Sequence, residues 1–489
     1  MILLETNFII FTILMIFLYY TFLKKYQWQL LLVGSLFFYK YFTDSYFILF
    51  SIINTFFFGI IIGKVRGKLL KKYFVITCCL INFGLLFLIK YSNFFAGKFG
   101  MLIPLGISFY MFQSISYVID VYRGSYEPEK NIFKFALFVS YFPQIIQGPI
   151  GRYNKLEPQM FKLHEYNGDD FRYGFETICW GVFKKIFVAD RIAIFVNTVF
   201  SGYNEYYGGV IFLAVFAYSI QIYTDFSGGI DIIKGISQIF GIRLDVNFRR
   251  PFFANSVADF WRRWHITLSA WMKDYVFYSL NLSRPVTFIN KKARKTFGNK
   301  TGKLISVCIS TYILYFIVGI WHGAGSNYVF YGLWNGTIIS LSLYFDSSFK
   351  QFRKKLNITD HSWWFIVFQI IRTNILVTLG RYFSRADSAR SAFAMLKRTF
   401  LDFSLADIKL ITLYDMGYTF NGTVFMIACI IVVFLVDLCF EKKINLYKKF
   451  DNANTLIQLL VIAIFISLIV FAVIYGQGYV STEFIYRQY

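Results

Sequence analysis

The sequence has little charge for its length, and acidic residues are especially few. Only 16% of its 489 residues are charged, and Asp and Glu together number 27, whereas a water-soluble domain usually carries about 25% charged residues. This composition excludes an ordinary soluble globular protein. Hydrophobic residues make up 57% of the chain and Phe alone occurs 61 times, so apolar and aromatic surface takes the place of charge.

Apolar runs of about 15 to 20 residues recur along the whole length, close to the ~20 residues that a helical membrane span needs. They include residues 8–22, 46–63, 73–89, 304–321, 424–440 and 456–475. The sequence therefore predicts an all-α, polytopic transmembrane protein with about eleven spans, supplemented by re-entrant and interfacial helices. The lipid bilayer is its first predicted partner.

Histidine and cysteine are also scarce, with four and six residues respectively. No C-x-x-C, H-x-x-x-H or H-E-x-x-H spacing occurs, and the cysteines lie in or beside apolar runs, as small buried hydrophobes do. We therefore predict neither disulfides nor a metal site. The G-x-S-x-G elbow of serine hydrolases and the Walker loop are missing too, which excludes two common kinds of catalytic site.

The net charge of +23 does not indicate nucleic-acid binding, because the basic residues are divided among short loops between apolar runs. Four clusters lie within residues 64–72, 291–303, 350–355 and 442–449. Basic loops beside spans mark the cytoplasmic side, so counting spans places both termini outside. Residues 381–422 disagree with this count and are expected to dip into the protein.

The N-terminal run has no charged leader and no cleavage site, which predicts a retained first span.

The pattern divides the chain into three predicted parts. Residues 1–100 are plain apolar segments that predict transmembrane scaffold helices. Residues 101–345 predict the functional core, because Gly, Pro and polar residues interrupt their apolar runs at 103–120, 142–153 and 223–241. Irregular backbone at membrane depth is tolerated only inside protein or beside a cavity. Loops at the membrane interface are the alternative for each interruption. Residues 346–489 predict C-terminal transmembrane helices and an external tail.

The segment DFWRRWHITLSAWMKDY, residues 259–275, concentrates three tryptophans and one histidine. Ser256 followed by Asp259 predicts a helix N-terminus. Apolar residues at three- and four-residue spacing then form one stripe, which predicts one amphipathic helix that lies along the membrane interface or is tucked under the spans. His265 would lie at the edge of its apolar stripe. A structural hydrogen-bonding histidine and a functional one are both compatible with this pattern.

His322 ends an apolar span and is followed by Gly323 and Gly325. Ionisable residues within the membrane are costly to bury, so a functional role is the default interpretation. Burial would keep the imidazole neutral and able to accept a proton, and the glycines would let another group approach closely. A structural histidine is the alternative. The remaining histidines, His164 and His361, are predicted to lie at the surface or the membrane interface.

Several segments together resemble the membrane-bound O-acyltransferase superfamily, and most closely its bacterial branch typified by the membrane subunit of alginate O-acetylation. The similar segments are residues 104–124, PLGISFYMFQSISYVIDVYRG; 141–153, YFPQIIQGPIGRY; 225–252; 259–275, with its W-R-R-W-H; 319–336, GIWHGAGSNYVFYGLWNG; 385–400; and 484–489, FIYRQY. The pair of histidine motifs is the most specific feature. Asn335 stands where relatives often carry a histidine.

The resemblance implies transfer of an acyl group, acetyl above all, from a cytoplasmic thioester such as acetyl-CoA to a hydroxyl of an extracytoplasmic polysaccharide, with an extracytoplasmic partner acetyltransferase and no bound cofactor. It implies the cytoplasmic membrane of a bacterium. His322 would be the general base, and His265 would orient the thioester or complete the proton path. Candidate donors to the developing oxyanion are Asn247, Arg262 and the backbone at Gly323.

The tail raises a separate hypothesis, that Tyr486 carries the acyl group outward as a relay. An aromatic anchor at the lipid headgroups is the alternative interpretation of the same residues. Two rival functions also remain open at this point. One is D-alanyl transfer to teichoic acid, and the other, from a different class, is a transporter or flippase of lipid-linked sugars.

Overall fold

A computed structural model describes residues 2–43, 45–96, 104, 106–404, 416 and 418–474 of the chain. These residues are helical or irregular, and no β-strand occurs among them. The α-helices are α1 Thr6–Tyr20, α2 Gln27–Thr43, α3 Phe47–Lys64, α4 Lys68–Ala96, α5 Ile107–Arg123, α6 Ile132–Ser140, α7 Phe142–Ile145, α8 Tyr153–Met160, α9 Gly168–Phe183, α10 Asp190–Ser201, α11 Gly208–Ile239, α12 Val257–Arg263, α13 Ile266–Trp271, α14 Tyr278–Asn281, α15 Arg284–His322, α16 Ser326–Tyr344, α17 Asp346–Lys355, α18 Trp363–Arg385, α19 Ala389–Leu401, α20 Phe420–Glu441, α21 Leu446–Asp451 and α22 Thr455–Ile474.

Shorter helical elements connect these. Single 3₁₀ turns occur at Ile2–Leu4, Lys24–Tyr26, Tyr203–Glu205 and Pro251–Phe253, and π-helical turns at Lys184–Ala189 and Met272–Phe277. The long helix α15 is bent where Gly298 adopts a positive φ of 80°. The prediction of an all-α polytopic membrane protein is confirmed.

Six of the described helices are long and apolar enough to cross a membrane: α3, α4, α11, α15, α18 and α20. The pair α1 and α2 passes the same test only together, and its two parts are bent by 103°. Helix α1 has 15 residues, which is short of the ~20 that a span needs, so the predicted first span is one arm of a bent pair. The predicted total of eleven spans is not confirmed.

The chain forms two compact units that alternate along the sequence. Among the described residues, the first unit comprises those up to Val182 together with Phe226–Asn247, and the second comprises Phe183–Asp225 and those from Phe248 onward. The three-part division predicted from the sequence concerns the location of function and stays a prediction.

The first unit contains a helix crossing made by glycines. A Cβ at Gly174 of α9 would come within 2.7 Å of the Gly235 carbonyl oxygen, and one at Gly181 within 2.5 Å of the Gly228 carbonyl oxygen. The predicted interruption at residues 223–241 is therefore wrong as far as Ile239, because α11 runs through it without a break. Its glycines remove side chains where α9 and α11 touch, as small residues do in membrane helix pairs.

A second interrupted segment, residues 146–152, is irregular and buried, as predicted for backbone held inside protein. Two buried glutamines hold it in place. The Gln144 amide donates to the Pro149 carbonyl at 2.6 Å, and the Gly151 N–H donates to the Gln113 side-chain oxygen at 3.3 Å. These two backbone groups of the segment are thus satisfied within the first unit, as burial away from water requires.

In the second unit, α15 and α16 form a close antiparallel pair. A Cβ at Gly319 would lie 2.5 Å from the Tyr328 carbonyl oxygen, and one at Gly332 would lie 2.2 Å from the Tyr315 carbonyl oxygen. Only glycine permits backbones to approach so closely. This contact fixes the end of α15, which carries His322, against the first turns of α16.

Candidate active site

The tryptophan-rich segment is two short helices and not one. The Ser256 hydroxyl accepts from the Asp259 N–H at 3.1 Å, so the predicted N-terminus is confirmed. Helix α12 then ends at Arg263 and α13 begins at Ile266. His265 lies at the break in a left-handed conformation, with φ 44° and ψ 55°. The prediction of a continuous helix is wrong, because the apolar spacing continues unchanged across a change of chain direction.

The break turns His265 inward. Its side chain is 1% exposed, so the predicted position at a polar boundary is wrong. Burial lowers the pKa of His265 to about 3, because a cationic imidazole would lose its hydration there. The ring is therefore neutral at physiological pH.

His322 is the last residue of α15 and is also buried. Its ring centroid lies 4.8 Å from that of Trp321, 5.6 Å from that of Tyr331 and 6.3 Å from that of Tyr328. Gly323 adopts extended backbone, and a Cβ there would come within 2.6 Å of the Tyr328 ring. The predicted close approach beside the glycine is thus made by an aromatic ring of the protein itself.

The two predicted histidines share an aromatic neighbour. The Trp321 ring centroid lies 6.4 Å from that of His265, as well as being adjacent to His322. Residues 57 positions apart in sequence are thereby brought into one buried aromatic cluster of the second unit. A neutral imidazole in such surroundings can accept a proton from a hydroxyl that is brought to it.

The other predicted site residues differ in exposure and in the unit to which they belong. Arg262 is 70% exposed and forms an ion pair with Asp259 at 3.2 Å, so its guanidinium is not part of the buried cluster. Asn247 is buried but belongs to the first unit. Tyr486 lies outside the described residues. The roles predicted for Asn247 and Tyr486 stay predictions.

Sequence reasoning missed two residues of the cluster, Tyr331 and Arg381. Both are buried, and the Arg381 guanidinium donates to the Tyr331 hydroxyl at 3.3 Å. A signal for Arg381 existed, because an arginine within an apolar helix such as α18 is a candidate functional residue. Tyr331 gave no signal among so many tyrosines. Trp261 also belongs to this cluster, and its indole N–H donates to the Asn335 side-chain oxygen at 3.1 Å.

The remaining histidines lie elsewhere. His361 is exposed, as predicted. His164 is buried, contrary to prediction, because its backbone exchanges two 2.8 Å hydrogen bonds with the Gln27 side chain. Burial lowers the pKa of His164. Its ring bonds the Gln159 carbonyl at 2.7 Å, which indicates a structural role in the first unit.

Comparison with known proteins identifies the family to which the chain belongs. A family profile described as MBOAT, membrane-bound O-acyltransferase family, matches residues 129–380, a range that includes both histidines. The chain is 31% identical over 412 residues to the probable alginate O-acetylase AlgI of Pseudomonas syringae. The matched region covers 80% of this chain and 74% of that protein.

The names of two further relatives specify acceptor polymers other than alginate. A peptidoglycan O-acetyltransferase of Helicobacter pylori is 30% identical over 406 residues, 75% of this chain and 72% of that protein. A teichoic acid D-alanyltransferase of Bacillus subtilis is 28% identical over 283 residues, 57% of this chain and 67% of that protein.

The buried histidine cluster in a polytopic helical protein, together with these matches, defines a membrane enzyme that transfers acyl groups. The chain belongs to the membrane-bound O-acyltransferase family, in the branch of the alginate O-acetylases. It is therefore an O-acyltransferase, and the transporter considered from the sequence is not supported.

Proposed function

We propose that this chain moves an acetyl group from cytoplasmic acetyl-CoA across a bacterial cytoplasmic membrane for O-acetylation of an extracytoplasmic polysaccharide or other cell-envelope polymer. The names of the relatives support this class of acceptor, since they specify alginate and peptidoglycan. The observation that carries the proposal is a buried histidine pair within a family of acyl-transferring membrane enzymes.

The chemistry requires a base and a place for negative charge. The acceptor hydroxyl oxygen adds to the carbonyl carbon of the thioester while its proton passes to the His322 imidazole. The carbonyl oxygen becomes an oxyanion. When the carbon–sulfur bond breaks, the carbonyl re-forms and the leaving thiolate takes the proton from His322. A positioned base contributes roughly 10²–10⁴-fold to such a step. His265 would orient the donor beside Trp321.

The position of His322 along α15 supports transfer across the membrane. The basic cluster at residues 291–303 immediately precedes the apolar part of this helix. His322 follows Lys303, the last residue of the cluster, by nineteen residues. That distance along a helix is about 28 Å, close to the ~30 Å thickness of the hydrocarbon core. With the basic cluster in the cytoplasm, His322 lies toward the outer leaflet, where an extracytoplasmic acceptor could be reached.

The test uses cells that lack the native gene and express the His322→Ala variant. We expect the ester-linked acetate of isolated envelope polymers to fall to the level of cells without the protein, while membrane content of the variant is unchanged. His361→Ala, at an exposed histidine, is the matched control and should retain wild-type acetate. Unchanged acetate in the His322 variant would end its assignment as the base.

D-alanyl transfer is the second candidate, because a teichoic acid D-alanyltransferase is among the relatives. The same polymers are therefore assayed for ester-linked D-alanine as well as acetate. Loss of D-alanine with unchanged acetate in the His322→Ala cells would identify this alternative and reject acetyl-CoA as the donor.

Two finer parts of the proposal follow from the tail and from the acceptor. We propose that the Tyr486 hydroxyl is the first acceptor in this step, so that it forms an acetyl ester as the thiol leaves. An extracytoplasmic partner acetyltransferase then transfers the acetyl group to a polymer hydroxyl, whose proton restores the Tyr486 hydroxyl. Tyr486→Phe removes only the hydroxyl that a relay needs. Full polymer acetylation by this variant would reject the relay and leave the aromatic tail as a membrane anchor.

A further inference from the structure

Arg381 is a buried cation in the second unit, near the end of α18. It is 3% exposed. Aromatic rings surround its guanidinium, whose central carbon lies 4.8 Å from the Trp264 ring centroid and 6.0 Å from those of Phe260 and Tyr331. Contact with aromatic faces offsets part of the loss of hydration, but it does not neutralise the charge.

The charge of Arg381 has no acidic partner among the described residues. No carboxylate oxygen of that part of the chain lies within 4.0 Å of the guanidinium, and its buried Nε has no hydrogen-bond acceptor there. Lys185, a buried cation of the same unit, has Asp190 at 2.8 Å and Asp225 at 2.6 Å. Because an unbalanced buried charge is expensive, the contrast with Lys185 indicates that the charge of Arg381 is balanced by an anion that the described residues do not supply.

Tyr331 connects this charge to the proposed base. Its hydroxyl accepts from the Arg381 guanidinium at 3.3 Å, and its ring is nearly perpendicular to that of His322, at 79° with 5.6 Å between centroids. A hydroxyl that accepts from a cation becomes a stronger donor through its own hydrogen. Tyr331 can therefore donate to a negative oxygen that forms beside His322.

We infer that Arg381 is a positioning residue that acts through Tyr331, whose hydroxyl donates to the oxyanion formed when the acceptor hydroxyl adds to the thioester. This inference rests on the proposed function and assigns the donor that acyl transfer requires. Arg381 orients and polarises the Tyr331 hydroxyl, and its positive charge is balanced when the oxyanion forms. The structure thus favours Arg381 and Tyr331 over the exposed Arg262 as the electrostatic part of the site.

The test measures hydrolysis of the thioester by the purified full chain in lipid vesicles, with water in place of the acceptor hydroxyl and release of the free thiol as the readout. Acetyl-CoA and, in parallel, a D-alanyl thioester are the donors. On whichever donor the wild-type protein uses, Arg381→Gln and Tyr331→Phe should each lower kcat by about 10²-fold, as loss of one oxyanion donor does, with KM changed by less than about threefold. Arg381→Lys should recover part of the loss, because it restores the charge without the planar fork.

The double variant separates this role from a structural one. If Arg381 acts through Tyr331, then Arg381→Gln should have almost no further effect in the Tyr331→Phe background. Arg390→Gln, an exposed arginine of α19, is the control for the change of charge and should retain wild-type kcat. Tyr331→Phe loses only a hydroxyl and keeps the ring contacts, so its result does not depend on tolerance of the larger change at Arg381.

The outcomes distinguish the two proposals. Wild-type kcat in Tyr331→Phe, or multiplicative losses in the double variant, would overturn the role of Arg381 while the proposed function stands. Loss of folded protein in Arg381→Gln with normal kcat in Tyr331→Phe would also overturn it and leave a structural residue. A wild-type protein that turns over neither thioester would overturn the proposed function and this inference together.

Discussion

At residue 265 the chain holds a histidine in a backbone conformation that histidine rarely adopts. Its φ of 44° lies in the left-handed region, which costs a residue with a side chain on the order of 1–3 kcal/mol. This conformation directs the imidazole ring into the aromatic cluster, beside Trp321. Strain concentrated at one histidine of a site is evidence for function, and it favours the functional interpretation of His265 over the structural one.

The burial of His265 makes stability depend on pH. Its folded pKa of about 3 lies below the ordinary value of 6.5, so between these pH values the unfolded chain binds a proton that the folded chain does not. Stability therefore falls as pH drops below about 6.5, by up to about 1.4 kcal/mol per pH unit. Asparagine tolerates left-handed backbone, so His265→Asn should remove this dependence without adding strain.

The measurement is the thermal unfolding midpoint of detergent-purified protein at pH 7.5 and pH 5. From pH 7.5 to pH 5, the free energy of unfolding that corresponds to the shift in midpoint should decrease by about 2 kcal/mol less in His265→Asn than in the wild type. His361→Asn, at an exposed site, should behave as the wild type does. Equal losses in the wild type and His265→Asn would show that His265 is not buried as a neutral ring.

At the scale of elements, the crossing of α9 and α11 in the first unit depends on missing side chains. A Cβ at Gly235 would come within 2.3 Å of the Gly174 carbonyl oxygen, and a backbone atom cannot move aside as a flexible side chain can. Gly235→Ala should therefore separate the helices and destabilise the protein by about 1–3 kcal/mol. The expected readout is a lower thermal midpoint and less monodisperse protein in detergent.

Gly84 provides the matched control for this change. It lies within α4, and a Cβ there would meet no atom within 4 Å. Because alanine has the higher helix propensity, by about 1 kcal/mol, Gly84→Ala should leave stability unchanged or raise it. Equal effects of the two substitutions would mean that α9 and α11 do not pack through their glycines.

The helices and the buried histidine at the end of α15 could be predicted from the sequence, because hydropathy and the cost of burying an ionisable residue are local properties. Whether each of the predicted interruptions breaks a helix could not be predicted from the sequence. Gly228, Gly229 and Gly235, predicted to interrupt residues 223–241, instead lie inside α11. Gly228 and Gly235 have the same seven-residue spacing as Gly174 and Gly181 of α9. That shared spacing was the available signal, and it acquires meaning only when two helices are considered together.

The site was predicted in part for the same reason. His322 stands out because its own helix is apolar, whereas the break at His265 is hidden by an apolar spacing that continues through it. Arg381 stands 59 residues beyond His322, and its relation to Tyr331 exists only through the packing of α16 and α18. Contacts between distant segments, and the charges that they leave unbalanced, are properties of the fold.

At the scale of the whole molecule, the orientation of the chain in the membrane decides which side each end of α15 faces. The basic cluster at residues 291–303 and the similar cluster at 350–355 flank the α15–α16 pair in sequence. Basic residues next to spans are retained on the cytoplasmic side. The opposite end of the pair, where His322 meets α16, should therefore face the outer side, as acetylation of an envelope polymer requires.

This orientation is tested by labelling single cysteines with a membrane-impermeant maleimide. The six native cysteines are free and none is fully exposed, so they are first replaced by serine or alanine. Ser326→Cys, exposed at the start of α16, should react in intact cells, whereas Lys295→Cys, exposed in the basic part of α15, should react only after the membrane is opened. The reverse pattern would place the basic clusters outside and His322 toward the cytoplasm. A base on that side could deacylate acetyl-CoA but could not deliver its acetyl group to an external polymer, so transfer across the membrane would have to be abandoned.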